Sequence, residues 1–500
     1  ITVEATSVDL RGGSSQAHAQ IGHGGYNVNG SSGSGSAADS AISVTTVGTS
    51  ATDGIRLRGG TGADSHAMIG SGGRSGSFDA LGDVTVTSAG GGISLVGTTS
   101  YAFALIGNGG HAVAGDFSGT TTVTSNGGGS ADGILLKAGS GSYSFANIGH
   151  ATNNVTASML NSDTIVNILG GGLTLEAGSG TIAVAAIGLQ GRDFKGDRSG
   201  LVDVTVTSGD VTMTAGTGTA SFAQLGHGGW GLTGNAGDMG GNVALTVDNG
   251  TLTMNGGAAS GTNYGKFAMI GHGGGGGNTG AMDGSVTVDV EGAIAMNGGT
   301  GIDGFTQIGH GGRGRSGTLG AAGDEVRVTS RTADLLMAGG AGSRAFSMIG
   351  FGGGSASGVT SGSVFVDVQG SIAMAAGDGS DSFTLIGHGG RSFNGTFGVT
   401  GDVVEVTSHT AGLSMTNGNG SQAFSMIGMG GSSSSGSKTG DITVSTVSGV
   451  LMDGTVGDGA QAFLQIGQLV GCLGPTLLAL VLVTGEPGGR ARVDVGETHV

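Results

Sequence analysis

An aliphatic residue followed by glycine, most often Ile-Gly, recurs twelve times along this chain, and that regularity restricts the fold more than any other feature. The glycines are Gly22, Gly70, Gly107, Gly149, Gly188, Gly226, Gly271, Gly309, Gly350, Gly387, Gly428 and Gly467. The 445 residues from first to last, over eleven intervals, give a mean period of about 40, within the range of solenoid repeats. Single intervals run from 37 to 48, so each unit contains a place that tolerates insertion.

Three short apolar segments recur in each unit. The first alternates β-branched and polar residues, as in Val84-Thr85-Val86-Thr87-Ser88, Val204-Thr205-Val206-Thr207-Ser208 and Val326-Arg327-Val328-Thr329-Ser330. Strict alternation predicts a strand with one buried face. The second is a pair of aliphatics two apart, from Val8 with Leu10 through Ile93 with Leu95 and Ile372 with Met374 to Val450 with Met452. The third leads into the aliphatic-Gly motif, as in Phe222-Ala223-Gln224-Leu225-Gly226-His227-Gly228-Gly229. A Gly/Ser/Asn-rich stretch follows it and absorbs the length variation.

Composition narrows the choice further. Glycine supplies 116 of 500 residues and proline only 2, which excludes collagen, while 37% hydrophobic residues exclude a disordered glycine-rich linker. No stretch keeps a 3.6-residue period, and frequent glycine opposes helix. Strands that each have one apolar face bury it by stacking unit on unit. The expected fold is therefore all-β, a right-handed single-stranded parallel β-helix (β-solenoid) of about twelve ~40-residue repeats over residues 1–468. One coil per repeat is favoured over two, because three strands and not six can be found in each unit.

The third strand departs from simple alternation. Phe103, Phe145, Phe222, Phe267, Phe305, Phe346, Phe383, Phe424 and Phe463 each precede the motif's aliphatic residue by three positions. In a strand the two side chains then point to opposite faces. Either the glycine-rich loop folds back over a structural ladder of phenylalanines, or a β-bulge turns both residues inward.

The pattern carried by Gly401 to Thr407, Gly412 to Met415 and Phe383 to Gly390 resembles repeats of bacterial filamentous-haemagglutinin-like exoproteins and autotransporter passengers. The resemblance covers roughly residues 1–468. It implies secretion through an outer-membrane β-barrel and display at the cell surface, as an adhesin, stalk or matrix filament. The chain opens at Ile1 in mid-pattern and reads as a segment of a longer protein.

Function classes can be weighed residue by residue. The net charge of −17, with 18 Lys and Arg and no basic stripe, argues against nucleic acid as a partner. The turn histidines His23, His150, His227, His272, His310 and His388 share their column with Ser71, Asn108, Leu189, Phe351, Met429 and Gln468. A metal-ligand column does not alternate with Leu and Phe, and only His227, His272 and His310 are consecutive, which makes them a local metal candidate. Gly298-Gly299-Thr300-Gly301-Ile302-Asp303 matches a calcium-binding nonapeptide, with Asp64 and Asp381 in the same column. Other units place Arg344, Ile182, Gln422 or Ala220 there, so the segment reads first as a strand-connecting turn, with no cofactor and Ca2+ as the alternative.

Outward threonines (Thr85/Thr87, Thr122/Thr124, Thr205/Thr207) read as ordinary solvated strand positions. Arg327, Phe365, Asp367 and Glu405 interrupt any flat threonine array. A β-helix polysaccharide-processing enzyme would need clustered carboxylates in a groove. Charged residues are 11% of the chain, and the densest loop, Arg192, Asp193, Lys195, Asp197 and Arg198, reads as a solvated insertion. The expectation is a non-enzymatic structural or adhesive rod or filament, with a calcium- or glycan-binding surface module as the alternative. Its expected partners are its own ends or a host or matrix glycan or protein surface.

Residues 469–500 leave the repeat pattern. They hold Pro475, Pro487 and the only cysteine, Cys472, and the apolar run from Leu469 to Val483 is short of the roughly 20 residues that span a bilayer. This tail reads as a cap, a membrane-proximal segment or a segment foreign to the array, and no transmembrane helix is expected.

Overall fold

The alternating segments form strands because each can bury one face against its counterparts in neighbouring repeats. Their arrangement comes from a computed structural model. It describes residues 1–32, 40–127, 132–153, 157–192, 196–230, 237–258, 265–276, 280–454, 461–468 and 491–495. The chain divides into two units, Ile1–Asn249 with Gly276–Gly280, and Gly250–Gly275 with Ala281–Val500. Each contains six of the twelve motif glycines and is built in the same way.

In the first unit the first strands of successive repeats, from Thr2–Ala5 through Val84–Ser88 and Thr121–Ser125 to Val243–Val247, pair parallel and in register. The second and third strands form their own parallel sheets in the same manner. In the second unit Ser363–Val368 lies between Glu325–Ser330 and Val403–Ser408, so Val364 faces Val326 on one side and Val404 on the other. Ile372 pairs likewise with Leu413, and Phe383 with Phe424. Each repeat is thus one coil of a parallel β-solenoid, and no α-helix occurs among the described residues. The core is the set of inward columns, Val84 and Val86, Ile93 and Leu95, Ile106, all at most 1% exposed.

The third strand is buried on both faces, over all seven residues in Phe346–Gly352, Phe383–Gly389 and Phe424–Gly430. Its register with its neighbours is unbroken from Phe346 to Gly352, which removes the bulge reading. The glycine-rich loop instead returns over the ring face, and a Cβ on Gly354 would lie 3.6 Å from Phe346. In the second unit this flap is itself a strand. Ser316–Leu319, Ser357–Thr360 and Asn394–Phe397 pair in parallel as a small fourth sheet that the three-strand reading of the sequence does not contain. Glycine has no side chain to form a pattern, so backbone pairing in the flap leaves no periodic trace.

Beneath the flap the phenylalanines stack. In the second unit Phe267, Phe305, Phe346, Phe383, Phe424 and Phe463 follow one another at 4.5–4.9 Å between ring centroids, with interplanar angles of 1–11°. The strand spacing imposes that distance, and identical rings in a parallel register have no other way to pack. Phe383→Ala is expected to cost about 3–5 kcal/mol, since the ring is fully buried and touches a ring on either side. Denaturant unfolding with an unchanged m-value checks this, and a loss under about 1 kcal/mol would mean that the ladder is not close-packed.

One pairing is antiparallel. Ala491–Val495 lies along Asp441–Thr446, on the edge strand of the first sheet in the second unit. The apolar run from Leu469 to Val483, with Cys472, Pro475 and Pro487, lies outside the described residues. No helix among the described residues is long and apolar enough to cross a membrane.

Candidate functional site

The turn histidines follow directly from the coil geometry. The residue after the motif glycine points towards the place where the preceding repeat's flap re-enters its next first strand. Nδ1 of His310 accepts from the backbone N–H of His272 at 3.1 Å, and its Nε2 lies 2.6 Å from the carbonyl oxygen of Gly284. His227 repeats this with the N–H of Leu189 at 3.2 Å and the carbonyl of Gly200 at 2.9 Å. A donor into Nδ1 fixes the proton on Nε2, which then donates to the carbonyl. The same position can be filled by an amide, as in Asn108, whose Oδ1 accepts from Ser71 N–H while Nδ2 donates to Gly82 O.

Of the three metal candidates, His272 and His310 come together as stacked rings 4.8 Å apart. His310 has both ring nitrogens engaged with backbone, as does His227, so neither keeps a lone pair for a cation. Among the described residues no group of three or more His, Cys, Asp or Glu is placed to hold a metal ion. His150 and His388 are fully buried, and burial lowers the pKa of each to about 4. Burial lowers that of His310 as well. His23 is exposed.

The aspartates of the nonapeptide-like turn sit at a left-handed corner, with φ of 63° at Asp64, 55° at Asp303 and 58° at Asp381. That corner aims their carboxylates at the flap. Asp64 pairs with Arg74 at 2.8 Å, Asp303 with Arg313 at 2.9 Å and Asp381 with Arg391 at 3.2 Å. Asp303 also pairs with Arg344 of the next coil at 3.0 Å. Burial raises the pKa of Asp303, against the opposing pull of Arg313 and Arg344. Two guanidiniums thus hold the oxygens that a calcium ion would need.

Arg74, Arg313 and Arg391 each stand ten residues after their aspartate, directly behind the Gly-Gly of the flap. The same offset joins Tyr101 to His111 edge-to-face at 4.8 Å and Gln422 to Ser432 at 3.3 Å. This correlated pair is the signal in the sequence that would have located the arginines. It acts as a buckle, fastening the flap down over the aromatic ladder. Asp303→Ala is expected to cost about 1–3 kcal/mol, at the lower end for a broken buried pair because the guanidiniums are partly solvated. A cycle with Arg313→Ala, measured by chemical unfolding, would give a coupling near zero if the buckle carried no stability.

Within the charged loop Asp197 is exposed, in keeping with a solvated insertion, and Arg198 departs from that reading. Arg198 is 1% exposed and sits in the column of Met159 and Met239. Asp197 accepts from the backbone N–H of Asp238 at 3.0 Å. Asp193, Lys195 and the side chain of Arg192 lie outside the described residues. On the outer face of the first sheet, Thr85 faces Thr122 and Thr87 faces Thr124, while Arg327 lies over the ring of Phe365 at 4.4 Å. Comparison with protein-family models, curated proteins and solved structures finds no match to this chain, so its functional reading rests on its own residues.

Proposed function

We propose that this chain is an extracellular structural or adhesive element of a bacterial surface or matrix, acting as a rod or filament without catalysis. The observation that carries the reading is in-register repetition. Within each unit every coil adds one strand to the same three sheets and, in most coils, one ring to the same stack. Such a design extends a chain by a fixed increment per repeat and offers neighbouring coils near-identical outer faces. The resemblance of the repeats to filamentous-haemagglutinin-like exoproteins and autotransporter passengers supports secretion and surface display. Partners on this reading are a glycan or protein surface, or further copies of the chain.

Negative-stain electron microscopy of the purified chain, with and without Ca2+, tests the proposal. Elongated particles or end-to-end filaments are expected in both conditions, and compact globules would overturn it. Because arginines hold the Asp303 and Asp381 carboxylates, calorimetric titration with Ca2+ is expected to give no saturable heat. A saturable signal there would favour a calcium-binding module, and turnover of an acidic polysaccharide would favour an enzyme.

A further inference from the structure

Two of the chain's four tyrosines meet at a corner of the coil in the first unit. Tyr101 and Tyr143 occupy the left-handed corner that precedes the third strand, with φ of 58° and 62°. Their backbones are in step, since Asp64 N–H donates to Ser100 O, Tyr101 N–H to Ser142 O and Tyr143 N–H to Thr181 O. The corner column therefore reads Asp64, Tyr101, Tyr143, Ile182, and the two phenol rings are neighbours in it. They stack at 4.8 Å between centroids and 8° from parallel. The strand spacing sets that distance, as it does for the phenylalanines.

Two residues further along the chain, the interior ladder of the same unit runs His18, His66, Phe103 and Phe145, breaks at Val184 and resumes at Phe222. Phe103 and Phe145 stack at 4.5 Å, but they are buried and their rings carry no hydroxyl. Tyr101 and Tyr143 are half-exposed. A phenol that solvent reaches can lose a proton and an electron, and the radical left behind carries unpaired spin on the ring carbons ortho to its oxygen. Rings stacked one coil apart set the ortho carbons of one beside those of the other. Tyr26 has no such arrangement, because its column neighbour is Arg74, whose Nη1 donates to the Tyr26 hydroxyl at 3.2 Å.

We propose that Tyr101 and Tyr143 form an oxidative coupling site, at which a peroxide-derived one-electron oxidant joins the two rings as dityrosine between adjacent coils. Each phenol gives up one electron and its hydroxyl proton. The two radicals then form one carbon–carbon bond between ortho carbons. Each of those carbons loses its hydrogen as a proton, and each oxygen takes a proton back. In sum two C–H bonds break and one C–C bond forms, while two electrons and two protons turn one hydrogen peroxide into two waters. Closing the 4.8 Å gap requires the rings to swing out of parallel, a movement open to half-exposed side chains. Held in neighbouring coils, the pair meets at an effective concentration of roughly millimolar or more, so in micromolar solution coupling within a molecule outruns coupling between molecules. The product is a covalent staple that depends on coil stacking alone, whether or not the chain serves as an adhesin or filament.

The test treats the full chain at micromolar concentration with hydrogen peroxide and a haem-peptide catalyst. Dityrosine fluorescence is expected while the chain still runs as a monomer under denaturing conditions. Mass spectrometry of the digest should show a linked peptide pair that contains Tyr101 and Tyr143 and lacks two hydrogens. Yield per chain should stay constant on dilution. Tyr101→Phe and Tyr143→Phe each keep a stacked ring but remove one phenol, and each should lose most of the signal, whereas Tyr26→Phe should retain it. Oxidised tyrosines without a Tyr101–Tyr143 link, a yield that rises with chain concentration, or a signal unchanged in both stacked-pair variants would overturn the site.

Discussion

Gly387→Ala is expected to destabilise the second unit by more than about 4 kcal/mol, enough to abolish its cooperative unfolding transition. Gly387 has φ of +133°, and a Cβ placed on it would overlap the carbonyl oxygen of Gly428 in the next coil. Gly350 meets Gly387 in the same way, so the column of motif glycines is where successive backbones come closest. A backbone carbonyl held in a parallel ladder cannot rotate away as a side chain can. Gly401→Ala is the matched control. Its φ is +96° but nothing lies within 4 Å of the added carbon, so only the backbone penalty of about 1–2 kcal/mol remains. Circular dichroism melts of both variants check the pair. Equal losses would mean that the conformation of glycine matters at the motif and the close approach does not.

Acid is expected to unfold the chain well before its carboxylates titrate. Above pH 6.5 the buried histidines are neutral in the folded and the unfolded chain alike, and stability is full. From pH 6.5 down to about 4, an unfolded chain takes up protons at His150 and His388 that the folded chain refuses. Stability therefore falls as pH falls, by about 1.4 kcal/mol per pH unit for each such ring. His66, lowered to about 3 chiefly by burial, extends the window further. Asp303 and Asp402, whose pKa values burial raises, take protons first in the folded state and oppose the trend only near their own titration. His388→Met copies Met429, the residue that follows it in the column. It should remove about 1.4 kcal/mol per pH unit of the acid slope and change stability at pH 7.5 by under about 1.5 kcal/mol. An unaltered slope, measured by denaturant titration across pH, would show that the ring is not a proton-sensitive point.

The parts of the fold that were legible in the sequence are those where side chains alternate between core and water. Val84 and Val86 against Thr85 and Thr87 announce one face and hence a strand, and Ile93 with Leu95 does the same in four residues. Phe383 and Ile386 announce burial on both faces, but periodicity cannot say whether a bulge or a cover produces it. The cover is mostly glycine and serine, whose pairing is written in backbone alone, so the fourth sheet was not legible. Arg198 was misplaced because composition reports charge and not burial. Asp303 stood out in the sequence as a calcium candidate, yet its partners Arg313 and Arg344 come from flap and neighbouring coil, which only the coil geometry brings together.

The break in the ring stack at Val184 also bears on how such a chain finds its alignment. Coils that were copies of one another could pair one repeat out of step and lose only the contacts of a single terminal coil. With Val184 among the phenylalanines, and His18 and His66 at the start of that row, a slipped arrangement sets a ring beside a void or an imidazole beside an aliphatic. Every such offset then incurs a penalty that grows with the number of mismatched rows. The irregular coils number the regular ones, and the assembly reads its own count from them.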